Sequence, residues 1–137
     1  ADWIAWTDGA GVIGTGSPFP PVVHRGRTHQ IGQGNNVLIF PGIGLGATAA
    51  GARWLPDDAF SAAADALFAY TAASMQDGDP IYPPLSRLRD VSRHVAIAVA
   101  QALVEAGAAP RASRDDIARR VIDGMWEPKY LPYTPRL

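Results

Sequence analysis

Apolar residues recur at helical spacing between positions 56 and 125, and this pattern predicts three helices. The first follows Pro56, which suits the start of a helix, and opens with Asp57 and Asp58, whose charges complement the helix dipole. Its predicted inward face consists of Phe60, Ala63, Ala64, Leu67, Phe68 and Thr71.

The second and third predicted helices have clear end signals. The second runs from about residue 85 to residue 106, and Gly107 ends it. Ser113 and Asp116 have the spacing of a capping box, which predicts the start of the third helix. The inward stripes are Leu85, Leu88, Val91, Val95, Ala98, Val99, Ala102 and Leu103 in the second helix, and Ile117, Val121, Ile122 and Met125 in the third.

The first 54 residues are rich in glycine and show short extended segments in place of a helical period. Extended segments are predicted at 11–15 and 21–24. Residues 25–27 form a turn, from which residues 28–31 return as the second arm of a hairpin.

Two further segments have a distinctive composition. Residues 37–40 are either a short buried strand or the start of an apolar helix that continues to residue 47. The glycines in this stretch indicate that another backbone or a ligand comes very close to it. Residues 128–137 contain three prolines and are predicted to be irregular.

Composition and charge narrow the class of protein. The chain has 137 residues, of which only 18% are charged, and a net charge of −1. We therefore expect no nucleic-acid partner and no membrane-surface partner, because either would need a basic patch. No apolar run is long enough to span a bilayer. The absence of cysteine excludes disulfides, Cys-zinc sites and thiol nucleophiles, and suits a reducing compartment.

The first residues contain no initiator Met and no basic segment leading into an apolar one. We therefore expect no signal peptide, a cytoplasmic location, and a chain cut from something longer.

Several motifs that could carry chemistry are better explained by structure. Residues 9–14 spell G-x-G-x-x-G, but Pro18 and further prolines follow, so no helix can open there to receive a pyrophosphate. Ser17 lies in a glycine-rich turn without a nucleophile motif around it. The acidic pairs 57–58 and 115–116 stand at predicted helix starts.

The histidines do not form a metal site in the sequence pattern. His24 and His29 lie on the predicted hairpin, and His94 is distant from both. None has the spacing of a metal pair on one helix face, so all three are interpreted as surface residues, and no metal ligand is predicted.

Residues 33–36, Gln-Gly-Asn-Asn, place three neutral amide side chains just before the apolar, glycine-rich segment. Amides can donate to a carboxylate or pair with a carboxamide without changing protonation. An Asn-rich turn or helix cap explains the same residues.

Read together, a set of motifs resembles the C-terminal part of malic enzymes of the large type, the oxaloacetate-decarboxylating malate dehydrogenases, over essentially the whole chain. The matching segments, in order, are 14–19 (GTGSPF), 33–36 (QGNN), 40–46 (FPGIGLG), 82–85 (YPPL), 89–92 (RDVS) and 125–130 (MWEPKY). Small departures occur at Ala10, where a basic residue is usual, and at Gly14, where Ala is usual.

The resemblance implies an oxidoreductase that converts L-malate to pyruvate and CO2 with reduction of NAD or NADP and with Mg2+ or Mn2+. The catalytic Tyr and Lys and the metal ligands of such an enzyme lie upstream, so the resemblance implies that this chain alone is inactive. Asn36 is similar to the residue that holds a malate carboxylate, and Asn35 to its neighbour on the nicotinamide side. Gly16 and Ser17 resemble the end of the last strand of the cofactor domain and the turn after it, and Gly34 joins them in the cofactor-binding set.

The expected fold is therefore mainly α with a short β-hairpin, as the C-terminal segment of an α/β malic enzyme with a Rossmann-type NAD-binding domain. Residues 1–36 would end the dinucleotide-binding domain, residues 37–127 would pack as helices on the active-site domain, and the Pro-rich tail 128–137 would reach toward a neighbouring subunit. The expected partners are L-malate or pyruvate, the rest of the malic enzyme chain, and further copies in a homo-oligomer.

Two alternatives remain open from the sequence. One is a malolactic enzyme, which makes lactate without net redox change, although residues 17–19 and Gly34 favour the malic branch. The other is a ligand-binding or assembly module without catalysis.

Overall fold

The computed structural model describes residues 1–76, 79–130 and 132. The described chain is mainly helical, with two small two-stranded sheets in its first half. In chain order the elements are α1 (Asp2–Trp6), β1 (Gly14–Thr15), β2 (Val22–His24), β3 (Arg27–His29), β4 (Gly32–Gln33), α2 (Phe40–Ala50), α3 (Asp57–Ala72), α4 (Leu88–Glu105) and α5 (Arg114–Gly124), with short 3-10 turns at Asn36–Leu38 and Leu85–Arg87.

Helix α4 lies at the centre of the core, where α2, α3 and α5 pack against it. Its predicted stripe is confirmed at Val91, Val95, Val99 and Leu103, which are fully buried. Leu85, by contrast, is exposed in the 3-10 turn that precedes the helix. Gly107 follows the end of α4 with a φ of 70°, as predicted for a residue that ends a helix.

Residues 37–40 lead into a helix, because a 3-10 turn joins directly to α2. The expected close approach is confirmed, and the neighbour is the backbone of α4. A Cβ atom built at Gly46 would lie 2.6 Å from the carbonyl oxygen of Ala96, and one built at Gly42 would lie 2.6 Å from Cβ of Val95. The missing side chains therefore let α2 and α4 pack closer than two ordinary helices could.

Helix α3 buries only part of the face that was predicted: Ala63 and Thr71 are buried as predicted, and Leu67 is partly buried against the core. Ala59, Ala63 and Ala66 are buried, whereas Phe60 is 43% exposed and Phe68 is 73% exposed. The alanine row faces the core because small side chains allow α3 to lie close to α4, and the phenylalanines turn outward. Hydrophobicity alone predicts that the phenylalanines point inward, and for Phe60 and Phe68 this prediction was wrong.

Helix α5 begins as predicted. The Ser113 Oγ accepts a hydrogen bond from the Asp116 backbone N–H at 3.1 Å, which confirms the N-cap. Ile117 and Val121 are buried, but Ile122 is 55% exposed and Met125 lies just past the end of α5, so those two parts of the predicted stripe were wrong.

The predicted hairpin is confirmed as the antiparallel pair β2–β3, in the register Val22 to His29 and His24 to Arg27. Arg25 and Gly26 form its turn, and both have positive φ angles, as the favoured two-residue hairpin turns require. The short helix α1 was not predicted.

A second pairing joins β1 and β4 in parallel, with Gly14 opposite Gly32 and Thr15 opposite Gln33. The hairpin lies between these two strands in sequence. Gly16, which was expected at the end of the last strand, directly follows β1, and the short strand β4 comes later in the chain and pairs with β1.

The predicted tail is irregular over its described residues 128–130, and residues 125–127 before it are irregular as well. Arg89 donates a hydrogen bond to the carbonyl oxygen of Trp126 at 2.8 Å. The remainder of the predicted tail, apart from residue 132, lies outside the described residues. None of the helices in the described part of the chain combines the length and apolar character needed to cross a bilayer.

Candidate functional site

The parallel pair brings two distant stretches of sequence to one edge of the small sheet. Gly16 and Ser17 follow β1, and Gly34, Asn35 and Asn36 follow β4, so all five predicted site residues come directly after the carboxyl ends of neighbouring parallel strands. The crevice outside such strand ends is where open α/β sheets bind ligands.

Backbone hydrogen bonds hold these strand ends together. The Gly34 N–H donates to the carbonyl oxygen of Thr15 at 2.8 Å, which continues the ladder one step past the strands. On the other strand, the Thr15 hydroxyl donates to the carbonyl oxygen of Ser17 at 2.8 Å, which fixes the turn after β1. Gly16 and Ser17 are both exposed beside this ladder.

Asn35 has a structural role in addition to any binding role. Its side-chain Oδ1 accepts a hydrogen bond from the Val37 N–H at 3.0 Å and caps the 3-10 turn. This confirms the helix-cap explanation of the amide stretch for Asn35. The Nδ2 group, with its two N–H donors, is not used by this cap.

Asn36 differs from its neighbour. It is exposed, and within the described residues its side chain makes no hydrogen bond. An amide in that state keeps its full set of donors and acceptors for a ligand.

Both asparagines line a cleft of about 410 Å³. Its opposite wall is apolar and consists of side chains that the sequence did not assign to a site, among them Leu67, Phe68, Ile81 and Tyr82. None of the described residues lining this cleft is charged. The cleft therefore offers neutral donors on one side and a mainly apolar wall on the other, and its lining contains no carboxylate, imidazole or cation.

The wall could not be found from sequence because its members come from α3 and from the segment after it. Phe68 was assigned to the helix core, and its outward direction depends on which face α3 buries. Tyr82 belongs to a recognised motif, but the motif carries no signal for where its ring packs.

The glycine motif at residues 9–14 and the histidines, which the sequence did not assign to a site, lie outside the site at the strand ends. Residues 9–14 run from the turn after α1 into β1, and no helix follows them. His24 lies within hydrogen-bond distance of Asp8 at 3.0 Å, and its ring contacts that of His29. His29 is only 8% exposed, so its interpretation as a surface residue was wrong; the hairpin register turns it inward.

Among the described residues no group of three or more His, Cys, Asp or Glu side chains is arranged to hold a metal ion. Asp57 and Asp58 open α3, and Asp115 and Asp116 open α5, as expected from their place at helix starts.

Comparison with known proteins gives a consistent assignment. A family model described as malic enzyme, NAD binding domain, matches residues 1–104. The NAD-dependent malic enzyme of Shewanella sp. (strain ANA-3) is 39% identical over 132 residues, which cover 96% of this chain and 24% of that protein. NAD-dependent malic enzyme 3 of Bacillus subtilis (strain 168) is 42% identical over 131 residues, covering 96% of this chain and 23% of that protein.

The chain thus spans about a quarter of the length of these curated relatives. The family model covers well over half of the chain, and the relatives cover nearly all of it. The chain therefore belongs to the malic enzyme family, with residues 1–104 matching its NAD-binding domain.

Proposed function

We propose that this chain is the C-terminal part of a malic enzyme that oxidatively decarboxylates L-malate to pyruvate and CO2. NAD is the preferred hydride acceptor in this proposal, since the matched relatives are named NAD-dependent, and NADP is the alternative. The observation that carries the proposal is the meeting of Gly16–Ser17 and Gly34–Asn36 at the carboxyl ends of β1 and β4. The β1–β4 pair would then belong to a larger Rossmann-type sheet.

In this proposal Asn36 binds the substrate. Its side-chain N–H groups donate to a malate carboxylate, and the donor works equally well before and after oxidation because it carries no charge to change. The exposure of Asn36 on the cleft and the lack of a side-chain hydrogen bond within the described residues support the assignment.

The strand ends suit the nicotinamide side of a bound cofactor. Gly16 carries no side chain, and a Cβ atom there would meet nothing within 4 Å, so a planar ring can approach the backbone at that point. Gly34 supports the same edge from the neighbouring strand end, with its side-chain space taken by the ring of Tyr82. Ser17 contributes a hydroxyl group, and Asn35 contributes its Nδ2 while its Oδ1 holds the 3-10 turn. When bound, NAD supplies the hydride acceptor; the residues of this chain bind and orient, and Leu67 and Phe68 exclude water from the cleft.

A metal ion does not fit the described residues, because they contain no ligand cluster. In the proposal Mg2+ or Mn2+, the catalytic acid and base, and the cation that would neutralise the substrate are all supplied by the upstream part of the protein. The proposed complete enzyme is a homo-oligomer, in which the Pro-rich tail contacts a neighbouring subunit.

The proposal is tested with the full-length protein that contains this chain. Incubation with L-malate, Mn2+ and NAD should yield pyruvate and NADH in equal amounts. Lactate formed without net NADH would identify a malolactic enzyme, and no turnover with either cofactor would indicate a module without catalysis. Either result overturns the proposal.

The 137-residue chain should be inert in the same assay. The cleft has no charged lining residue, and the described residues have no metal cluster, so neither a charged acid–base pair nor a metal site is available there. Turnover of the purified chain above the blank without enzyme would contradict this division of roles.

A further inference from the structure

Residues 80–84, which we call the strap, lie against the parallel pair β1–β4. The strap is rich in proline, and its last residue leads into the 3-10 turn before α4, where the Arg87 N–H donates to the carbonyl oxygen of Pro84 at 2.9 Å. Proline fixes φ, so the strap is a stiff segment anchored to the central helix.

Three glycines on the strand pair make room for the strap. A Cβ atom at Gly14 would lie 2.9 Å from Cδ1 of Ile81 and 3.1 Å from Cε2 of Tyr82. At Gly32 the shortest distance would be 3.3 Å, to Cγ1 of Ile81, and at Gly34 it would be 3.2 Å, to Cε2 of Tyr82. Side chains on these strands would therefore push the strap away.

The Tyr82 ring is the part of the strap that all three glycines share. It is half-buried, and it lines the cleft that also contains Asn35 and Asn36. On the sheet side, the Gly32 N–H donates to the carbonyl oxygen of Ile13 at 2.9 Å, and the Gly34 N–H donates to that of Thr15 at 2.8 Å. The ring therefore covers the hydrogen bonds that align the two strand ends.

We propose that Tyr82 is a positioning residue, whose ring braces the ends of β1 and β4 and so holds Asn35 and Asn36 in register at the cleft. Strands of only two residues have little stability of their own. Packing of the strap against the two strands supplies the stability that they lack. The shortest contacts at all three glycines are to carbon atoms of Ile81 and Tyr82, so the ring rather than the hydroxyl is expected to do this.

The first test measures the backbone directly by amide hydrogen exchange of the full-length protein. Tyr82→Ala should speed exchange of the Gly32 and Gly34 amides by about tenfold or more, which corresponds to about 1.4 kcal/mol of local stability. Tyr82→Phe should leave these rates close to those of the parent protein. Tyr70→Ala is the matched control, because Tyr70 is also half-buried and packs on the helical core but contacts none of these glycines.

The second test is kinetic and rests on the proposed function. Tyr82→Ala should raise the KM for malate by about tenfold, whereas Tyr82→Phe should restore it to within about twofold of the parent value. If the full-length protein does not oxidise malate, the proposed function fails, and the exchange experiment still decides whether Tyr82 braces the strands.

Unchanged exchange at Gly32 and Gly34 in Tyr82→Ala would overturn the inference. So would a Tyr82→Phe variant as strongly affected as Tyr82→Ala, because the ring contacts would then not be the cause. Exchange in α5 of each variant reports whether the protein is folded. If Tyr82→Ala is not folded, Tyr82→Leu replaces it, with faster exchange expected at the same two amides and unchanged exchange again overturning the inference.

Discussion

At the scale of single residues, Asn35 and Asn36 differ although they are adjacent and chemically identical. Asn36 is exposed, and its side chain makes no hydrogen bond within the described residues, while the Asn35 side chain caps the 3-10 turn. Asn36→Ala in the full-length protein should raise the KM for malate more than Asn35→Ala does. A lost charge-assisted hydrogen bond costs about 1.5–3 kcal/mol, or roughly ten- to hundredfold in KM.

Asn35 and Asn36 should also differ in their contribution to the free energy of unfolding. Asn35→Ala removes a cap and should lower the free energy of unfolding by about 1 kcal/mol, whereas Asn35→Asp keeps the acceptor and should cost less. Asn36→Ala should leave stability almost unchanged. Gln101→Ala on α4 is a control for loss of an amide away from the cleft.

For the kinetic prediction, equal effects of Asn35→Ala and Asn36→Ala on the KM for malate would show that the roles of the two asparagines are assigned wrongly.

Ser113 and Asp116 give a prediction that depends on pH. The Ser113 hydroxyl donates to Oδ2 of Asp116 at 2.8 Å, and Arg119 lies 2.7 Å from the other carboxylate oxygen. The hydrogen bond from Ser113 is the larger cause, and the attraction to Arg119 adds to it; together they hold the pKa of Asp116 below its ordinary value of 3.8. Because the pKa is lower in the folded state, this contribution to stability is fully present above the unfolded pKa and is lost as pH falls through the folded pKa.

Ser113→Ala should therefore raise the pKa of Asp116 toward 3.8, as followed by NMR titration of the carboxyl group. Loss of the N-cap should also destabilise α5 by about 1 kcal/mol near neutral pH. Ser61→Ala, on the exposed side of α3, is the control and should change neither quantity appreciably. A pKa that stays low in Ser113→Ala would assign the shift to Arg119.

At the scale of elements, the contact between α2 and α4 depends on where the glycines lie on α2. Gly46 faces the backbone of Ala96, whereas a Cβ atom at Gly44 would meet nothing within 4 Å. Gly46→Ala should destabilise the protein because the two helices must move apart. Gly44→Ala should stabilise it by up to about 1 kcal/mol, because alanine is the better helix former. Thermal unfolding of the two variants tests this, and a loss of stability in Gly44→Ala equal to that in Gly46→Ala would contradict it.

Local signals were enough to predict several of these elements. The hairpin turn at Arg25 and Gly26, the cap at Ser113 and the glycine after α4 each depend on residues within a few positions of one another. The asparagine pair was also recognisable as a candidate site. In each case the residues that determine the local structure lie next to one another in the sequence.

Features that depend on distant contacts could not be predicted in this way. The parallel pairing of β1 with β4 joins residues 18 positions apart, and the two-residue strands are too short to show a period of their own. The outward turn of Phe68 follows from the fit of an alanine row on α4, and the inward turn of His29 follows from the hairpin register. The sequence therefore predicted the polar side of the cleft, which is the asparagine pair, but not its apolar wall.

At the scale of the whole molecule, the chain exposes more surface than a compact protein of its mass. Its accessible surface is 9408 Å², whereas a compact 14.5 kDa monomer has roughly 6,900 Å². Part of the excess is apolar: Phe68 is 73% exposed, Trp126 is 75% exposed, and Phe40 and Phe60 are also exposed. Surface of this kind is typical of a piece that packs against other parts of a larger structure.

The isolated chain should consequently self-associate, as a dimer or a higher oligomer. The low charged fraction of 18% does little to keep such a surface solvated, and exposed aromatic side chains are enriched at interfaces. Trp126 and Tyr130 supply such side chains near the C-terminal end of the described residues, and the sequence adds Tyr133, which lies outside them. Sedimentation equilibrium over a wide concentration range measures the association.

Paired variants on α3 show whether its outward face takes part in that association. Phe60→Ser combined with Phe68→Ser should weaken it by at least about tenfold in Kd, because two exposed aromatic side chains are removed from one side of the helix. Asp65→Ala, an exposed polar change on the same helix, should leave Kd nearly unchanged. If the parent chain remains monomeric at high micromolar concentration, the prediction is wrong. Residues 37–52 and the helices would then bury their apolar surfaces against one another without the rest of the enzyme.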